Sequence, residues 1–140
     1  MSATTTMTAK ELVEDFYAAG GPVGDPAGFP DIFHPQYVSH TSPPGMEPGV
    51  GQAVSLREFL TSAFSDVEYE LVSIVAEGDL VATRTICRGT HTGPQLGFEP
   101  TGKRFAADQM HFLRIADGKI AEHWGVRDDA GMFRQLGLIG

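Results

Sequence analysis

Apolar residues first recur at helical spacing near the start of the chain. Leu12, Val13, Phe16 and Tyr17 form one stripe, which predicts a helix over residues 7–19. Thr6 or Thr8 is placed to cap its start, and Gly20-Gly21 supplies the stop. The Gly/Pro stretch over 22–30 is too short and too near the terminus to divide domains. FPDIFHPQY reads as a short helical turn stopped at Pro35, and residues 42–51 as a Pro/Gly loop. A second helix is expected over 51–64, with Leu56, Phe59, Leu60, Ala63 and Phe64 on its buried face.

From Val67 the period changes. VEYELVSIV, LVATRTICRGTH, RFAADQMHFLRI and KIAEHWGVRD carry β-branched and aromatic residues in partly alternating order and read as strands. Glu77-Gly78-Asp79 and Ala116-Asp117-Gly118 supply hairpin turns, and the longer loop TGPQLGFEPTGK separates the middle strands. DDAGMFRQLG reads as one short final helix. Helices followed by a run of strands predict an α+β fold: about three helices on one face of a strongly curved, mostly antiparallel sheet. The hollow on the concave side is where a pocket belongs.

The length of 140 residues fits a single domain spanning 1–140, and 41% apolar and 20% charged residues place it among globular chains. The net charge of −8, with ten Lys and Arg scattered and forming no run, argues against nucleic acid or an anionic membrane as partner. Cys87 is the single cysteine, so no intrachain disulfide forms and a cytoplasmic setting fits. Its apolar neighbours mark it as a small core residue rather than a nucleophile. The first ten residues lack the basic and apolar regions of a signal peptide. No apolar run approaches the roughly 20 residues of a membrane helix.

No metal or nucleotide signature appears: no His pair at i, i+4 around a Glu, no strand–Gly-x-Gly-x-x-Gly–helix unit, and no Gly-x-Ser-x-Gly elbow. The remaining chemistry lies in polar residues within apolar strands. His111 shares a strand face with Ala107, Gln109 and Leu113. On the concave face, Gln109 and His111 point into the pocket, where an imidazole moves protons near neutral pH. The structural alternative is a buried histidine satisfied by a neighbour. Burial is expected to lower its pKa, and a carboxylate such as Asp128 to raise it. Trp124, Val126 and Asp128 share a face, with Trp124 placed to stack on a flat ligand and Asp128 to act as a base or hold a histidine. Against these stand a core role for Trp124 and a helix cap for Asp128, with Asp129 a competing cap. His40 precedes a Pro-rich loop at a strand end, a usual place for a functional side chain and equally for a surface histidine. His34 is expected to pack or cap locally, His91 to lie off the pocket rim, and Glu122 and His123 to face solvent or a neighbouring subunit.

FHPQYVSHTSPPG, IVAEGDLVATRTICRGTHTG, EPTGKRF and DGKIAEHWGVRDDAGMFRQLG resemble the SnoaL-like polyketide cyclases of the nuclear transport factor 2-like superfamily, from the first helix to Gly137. The resemblance implies a cone-shaped α+β barrel, no cofactor, and a homodimer or homotetramer packed through the convex sheet face. In the family's aldol cyclases a pocket histidine aligns with His111, and an acid/base Asp falls where this chain has Gly125. Asp128 or a histidine must therefore supply the base, or the reaction differs. A Trp-x-x-x-Asp pattern matching Trp124 to Asp128 and a His matching His40 recur in the wider family. The expectation is a cofactor-independent enzyme with catalytic His111, Asp128 and His40 and with Trp124 and Gln109 binding substrate. It would close a ring in, or isomerise, a small apolar or aromatic polyketide-like carbonyl compound, as in antibiotic biosynthesis. The alternatives are a hydroxylase component or epoxide-opening enzyme in the same pocket, and a protein that only binds a small molecule.

Overall fold

The computed structural model describes residues 7–42 and 45–140. Its elements are α1 (Ala9–Ala18), α2 (Phe29–Ile32), β1 (Phe33–Ser39), α3 (Val50–Ala63), β2 (Phe64–Glu77), β3 (Leu80–His91), β4 (Arg104–Ala116), β5 (Lys119–Arg127) and α4 (Asp129–Gln135). Thr8 caps α1 in a capping box: its hydroxyl accepts from the Glu11 N–H, and the Glu11 carboxylate accepts from the Thr8 N–H. Thr6 lies outside the described residues. Among those described, no helix is long and apolar enough to cross a membrane.

The five strands form one mixed sheet in the order β1-β5-β4-β3-β2. Neighbours pair antiparallel except β1, which runs parallel to β5. This corrects the reading of FPDIFHPQY as a helical turn stopped at Pro35. The helix ends at Ile32, and Phe33 begins a strand that contains Pro35. Pro35 has no N–H for a ladder, and the edge position of β1 removes that objection. At the β4–β5 hairpin, Asp117 and Gly118 both take positive φ, 53° and 71°, the twist a two-residue turn needs.

The inner face buries two clusters. Val13, Phe16, Phe29, Phe33 and Ile120 close the narrow end under α1 and α2. Leu60, Phe64, Phe105, Met132 and Leu136 pack where α3 and α4 meet the sheet. Phe59, expected on the buried face of α3, is 41% exposed. One irregularity sets the site. Ile115 pairs with Ile120, whereas Arg114 pairs with Glu122, so Ala121 is an extra residue in β5. Such a bulge reverses the alternation beyond it. Ile120 faces inward, and so do His123, Gly125 and Arg127, while Trp124 and Val126 face out.

Candidate functional site

Three connected spaces lie between the sheet and the helices. A deep chamber of about 80 Å³ is walled by Phe16, Tyr17, Tyr37, Tyr69 and Leu113. A vestibule of about 520 Å³ opens above it along Ser39, Gln52, Leu56 and Phe59. A side chamber of about 140 Å³ lies under α4. His123 borders the first two, Gln109 the first and third, and Arg127 all three. Of these three, the vestibule falls within the range typical of ligand sites, ~300–1,000 Å³.

A hydrogen-bonded chain crosses this junction. His111 Nε2 meets Gln109 Oε1 at 2.8 Å, His111 Nδ1 meets His123 Nε2 at 2.7 Å, and His123 Nδ1 meets Ser39 Oγ at 2.8 Å. An amide oxygen only accepts, so His111 carries its proton on Nε2. His123 Nε2–H then donates to His111 Nδ1, and the Ser39 hydroxyl donates to His123 Nδ1. The basic end of the chain is therefore His123 Nδ1, covered by one rotatable hydroxyl beside the vestibule. Gln52 holds that hydroxyl in place by accepting from the Ser39 N–H at 3.0 Å while donating to the Glu47 carbonyl at 2.8 Å.

Gly125 lies opposite His111 in the β4–β5 register. A Cβ there would stand 2.7 Å from His111 Nδ1 and 3.0 Å from His123 Nε2. The contact between the two rings thus occupies the space that a side chain at 125 would fill.

Burial, with the Arg127 charge added, lowers the His111 pKa to about 4. Burial, then His111 and Arg127, lowers His123 to about 3. Both rings are neutral at physiological pH. Burial also pushes the Tyr17 phenol up to about 12 and raises Tyr37 and Tyr69 as well. These phenols keep their protons and remain donors.

Of the residues anticipated from sequence, Gln109 and His111 meet in the deep chamber. The other three do not join them. Asp128 is exposed, and its carboxylate accepts from the Gly131 N–H at 2.8 Å as the cap of α4; it is this residue, not Asp129, that caps. Trp124 lies on the outer face and stacks on His40 with ring centroids 4.7 Å apart. His40 also pairs with Glu122 at 2.7 Å, away from the chain of histidines. His123, expected to face solvent, is the residue the bulge turns inward. His91 is fully buried off the pocket, and its Nδ1 accepts from the Thr101 N–H at 3.2 Å, anchoring the loop before β4. Sequence reasoning also missed the three tyrosines as pocket donors: Tyr17 counted only toward the apolar stripe of α1, and Tyr37 and Tyr69 sat unremarked in their strands.

This is an α+β cone with a largely apolar cavity, phenol donors and a neutral imidazole pair, the equipment of general acid–base chemistry on a small molecule. The model of the SnoaL-like polyketide cyclases matches residues 11–136, and the chain belongs to that family. It is 34% identical over 117 residues to the aklanonic acid methyl ester cyclase AcmA of Streptomyces galilaeus, covering 76% of each chain. It is also 34% identical over 109 residues to the nogalonic acid methyl ester cyclase of Streptomyces nogalater, covering 77% of this chain and 78% of that one. Among solved structures, TsrD from Streptomyces laurentii superposes with a TM-score of 0.78 at 33% identity, covering 91% and 93% of the two chains.

Proposed function

We propose that this protein closes a ring in a polyketide-derived carbonyl compound without a cofactor, using the His123–His111 pair as its base. The observation that carries the reading is the hydrogen-bonded chain from Gln109 to Ser39, which ends in a basic nitrogen where the chambers meet. Ring closure by addition of one carbon to a carbonyl needs three things. A base removes the proton beside one carbonyl, a donor holds the resulting enolate oxygen, and the new alkoxide takes a proton back. His123 Nδ1 receives the proton as Ser39 rotates aside, and His111 and Gln109 fix the ring that receives it. Arg127 supports the enolate charge, and the phenols of Tyr17, Tyr37 and Tyr69 supply neutral donors. A proton on His123 at pH 7 costs roughly 6 kcal/mol, four pH units at ~1.4 kcal/mol each. The adjacent enolate offsets part of that cost. The proton returns to the alkoxide, so the product is an isomer of the substrate.

The curated relatives are named as cyclases, which favours ring closure over the hydroxylating, epoxide-opening and purely ligand-holding readings. The direct test offers the protein aklanonic acid methyl ester and related polyketide esters in buffer free of added cofactor. A cyclised product of unchanged mass is expected. A product heavier by one oxygen, or binding without conversion across the series, overturns the reading.

The working form is a homodimer or homotetramer packed through the convex face. There Met110 pairs with Val126 and Phe112 with Trp124, and all four are exposed. Sedimentation showing monomer alone at micromolar concentration contradicts this. The free, buried Cys87 supports a reducing, cytoplasmic setting.

A further inference from the structure

The side chamber has no part in the proton chemistry. Leu60 of α3, Leu96 of the β3–β4 loop, Phe105 and Ala107 of β4, and Met132 and Phe133 of α4 line it. Of its polar groups, Gln109 and Arg127 are a β4–β5 register pair that also borders the deep chamber, and the Asp129 carboxylate lies 3.6 Å from the Arg127 Nε. The Cys87 thiol, also in the wall, is kept protonated by burial, its pKa pushed up to about 11. At about 140 Å³ the chamber is close to the engineered apolar cavity of ~150 Å³ that stays dry and takes up benzene.

Size, lining and continuity with the deep chamber point to one occupant. We infer that the side chamber is a substrate subsite for one apolar six-membered ring, or a hydrocarbon arm of equal bulk, attached to the group held at Gln109 and Arg127. The substrate is then elongated: its reacting carbonyls lie at His123 and Arg127, its bulk fills the vestibule, and one apolar end passes over the Gln109–Arg127 pair. A molecule without that end leaves the chamber empty and forgoes its burial. This assignment rests on the cyclase reading for the identity of the ligand as substrate, but not for the existence of the subsite.

The test compares propanoate with 3-phenylpropanoate, which adds one ring to the same carboxylate. Affinities are measured by calorimetry, and the Met132 methyl resonance is followed by NMR. Burying a phenyl ring is worth about tenfold to a hundredfold in affinity, so the parent should bind 3-phenylpropanoate tighter by that factor, with a ring-current shift at Met132. Ala107→Leu fills the chamber; it should bind propanoate within twofold of the parent and lose the increment. Ala107→Val serves the same purpose if the larger side chain prevents folding. Equal affinities in the parent, or an increment that survives in the filled variant, overturn the subsite. Turnover separates the two claims. Ring closure without the increment removes the subsite and leaves the cyclase, whereas the increment without ring closure does the reverse.

Discussion

Gly125 controls the site by what it lacks. Without a side chain at this position, His111 and His123 approach to 2.7 Å and share one proton along the chain. Gly125→Ala would put a methyl group where the His111 ring edge now sits and force the imidazoles apart. A displacement of about 1 Å in a positioned catalytic group costs on the order of 100-fold in rate, so turnover should fall by that order while the melting temperature changes little. Turnover equal to the parent's would show that the contact between the rings is not needed. His111 and Gln109 were legible in the sequence because β4 alternates regularly from Phe105 to Leu113. His123 was not, because regular alternation places it outside and a single inserted residue, Ala121, places it inside.

At the scale of elements, strands with dense β-branched residues and plain turns were readable, and so were both long helices. Where the structure chose between readings or departed from one, the causes are local. Phe33–Ser39 looked non-extended because it contains a proline, and the proline is tolerated because β1 is an edge. Asp128 looked equally suited to catalysis and capping, since both need a carboxylate at the same place after β5. The structure puts its oxygen on the Gly131 N–H of α4, and α4 forms a wall of the side chamber. Asp128→Ala should therefore cost about 1 kcal/mol of stability, and Asp128→Ser much less because serine also caps. Both should turn over substrate within a few-fold of the parent. A loss of 100-fold or more with unchanged melting would return Asp128 to the reaction.

For the whole molecule, the buried imidazoles tie stability to pH. Both have folded pKa values, about 4 and about 3, below the unfolded value of 6.5. Between those limits the unfolded chain binds protons that the folded chain refuses, so stability is full above pH 6.5 and declines as the pH falls toward 3. Complete titration is worth on the order of 3 kcal/mol for His111 and on the order of 5 kcal/mol for His123. The parent should melt progressively lower from pH 6.5 to pH 4, and His111→Gln and His123→Gln should flatten that decline. A parent whose melting temperature holds constant over this range contradicts neutral, buried rings. The outline of the fold was legible because every helix stripe and strand face points toward one concavity. The division of that concavity into three chambers was not, since it depends on side chains from β4, β5 and α4 that meet only in three dimensions.

Turnover of His123→Ala bears most directly on the neutral histidine pair as the base. It is read on the polyketide ester that the parent cyclises, with affinity and melting temperature measured alongside. Removing a positioned general base should lower the rate by ~100- to 10,000-fold, with ligand affinity within a few-fold of the parent and the fold intact. A variant that closes the ring at the parent's rate would show that the proton goes elsewhere, and the mechanism assigned to His123 and His111 would be wrong.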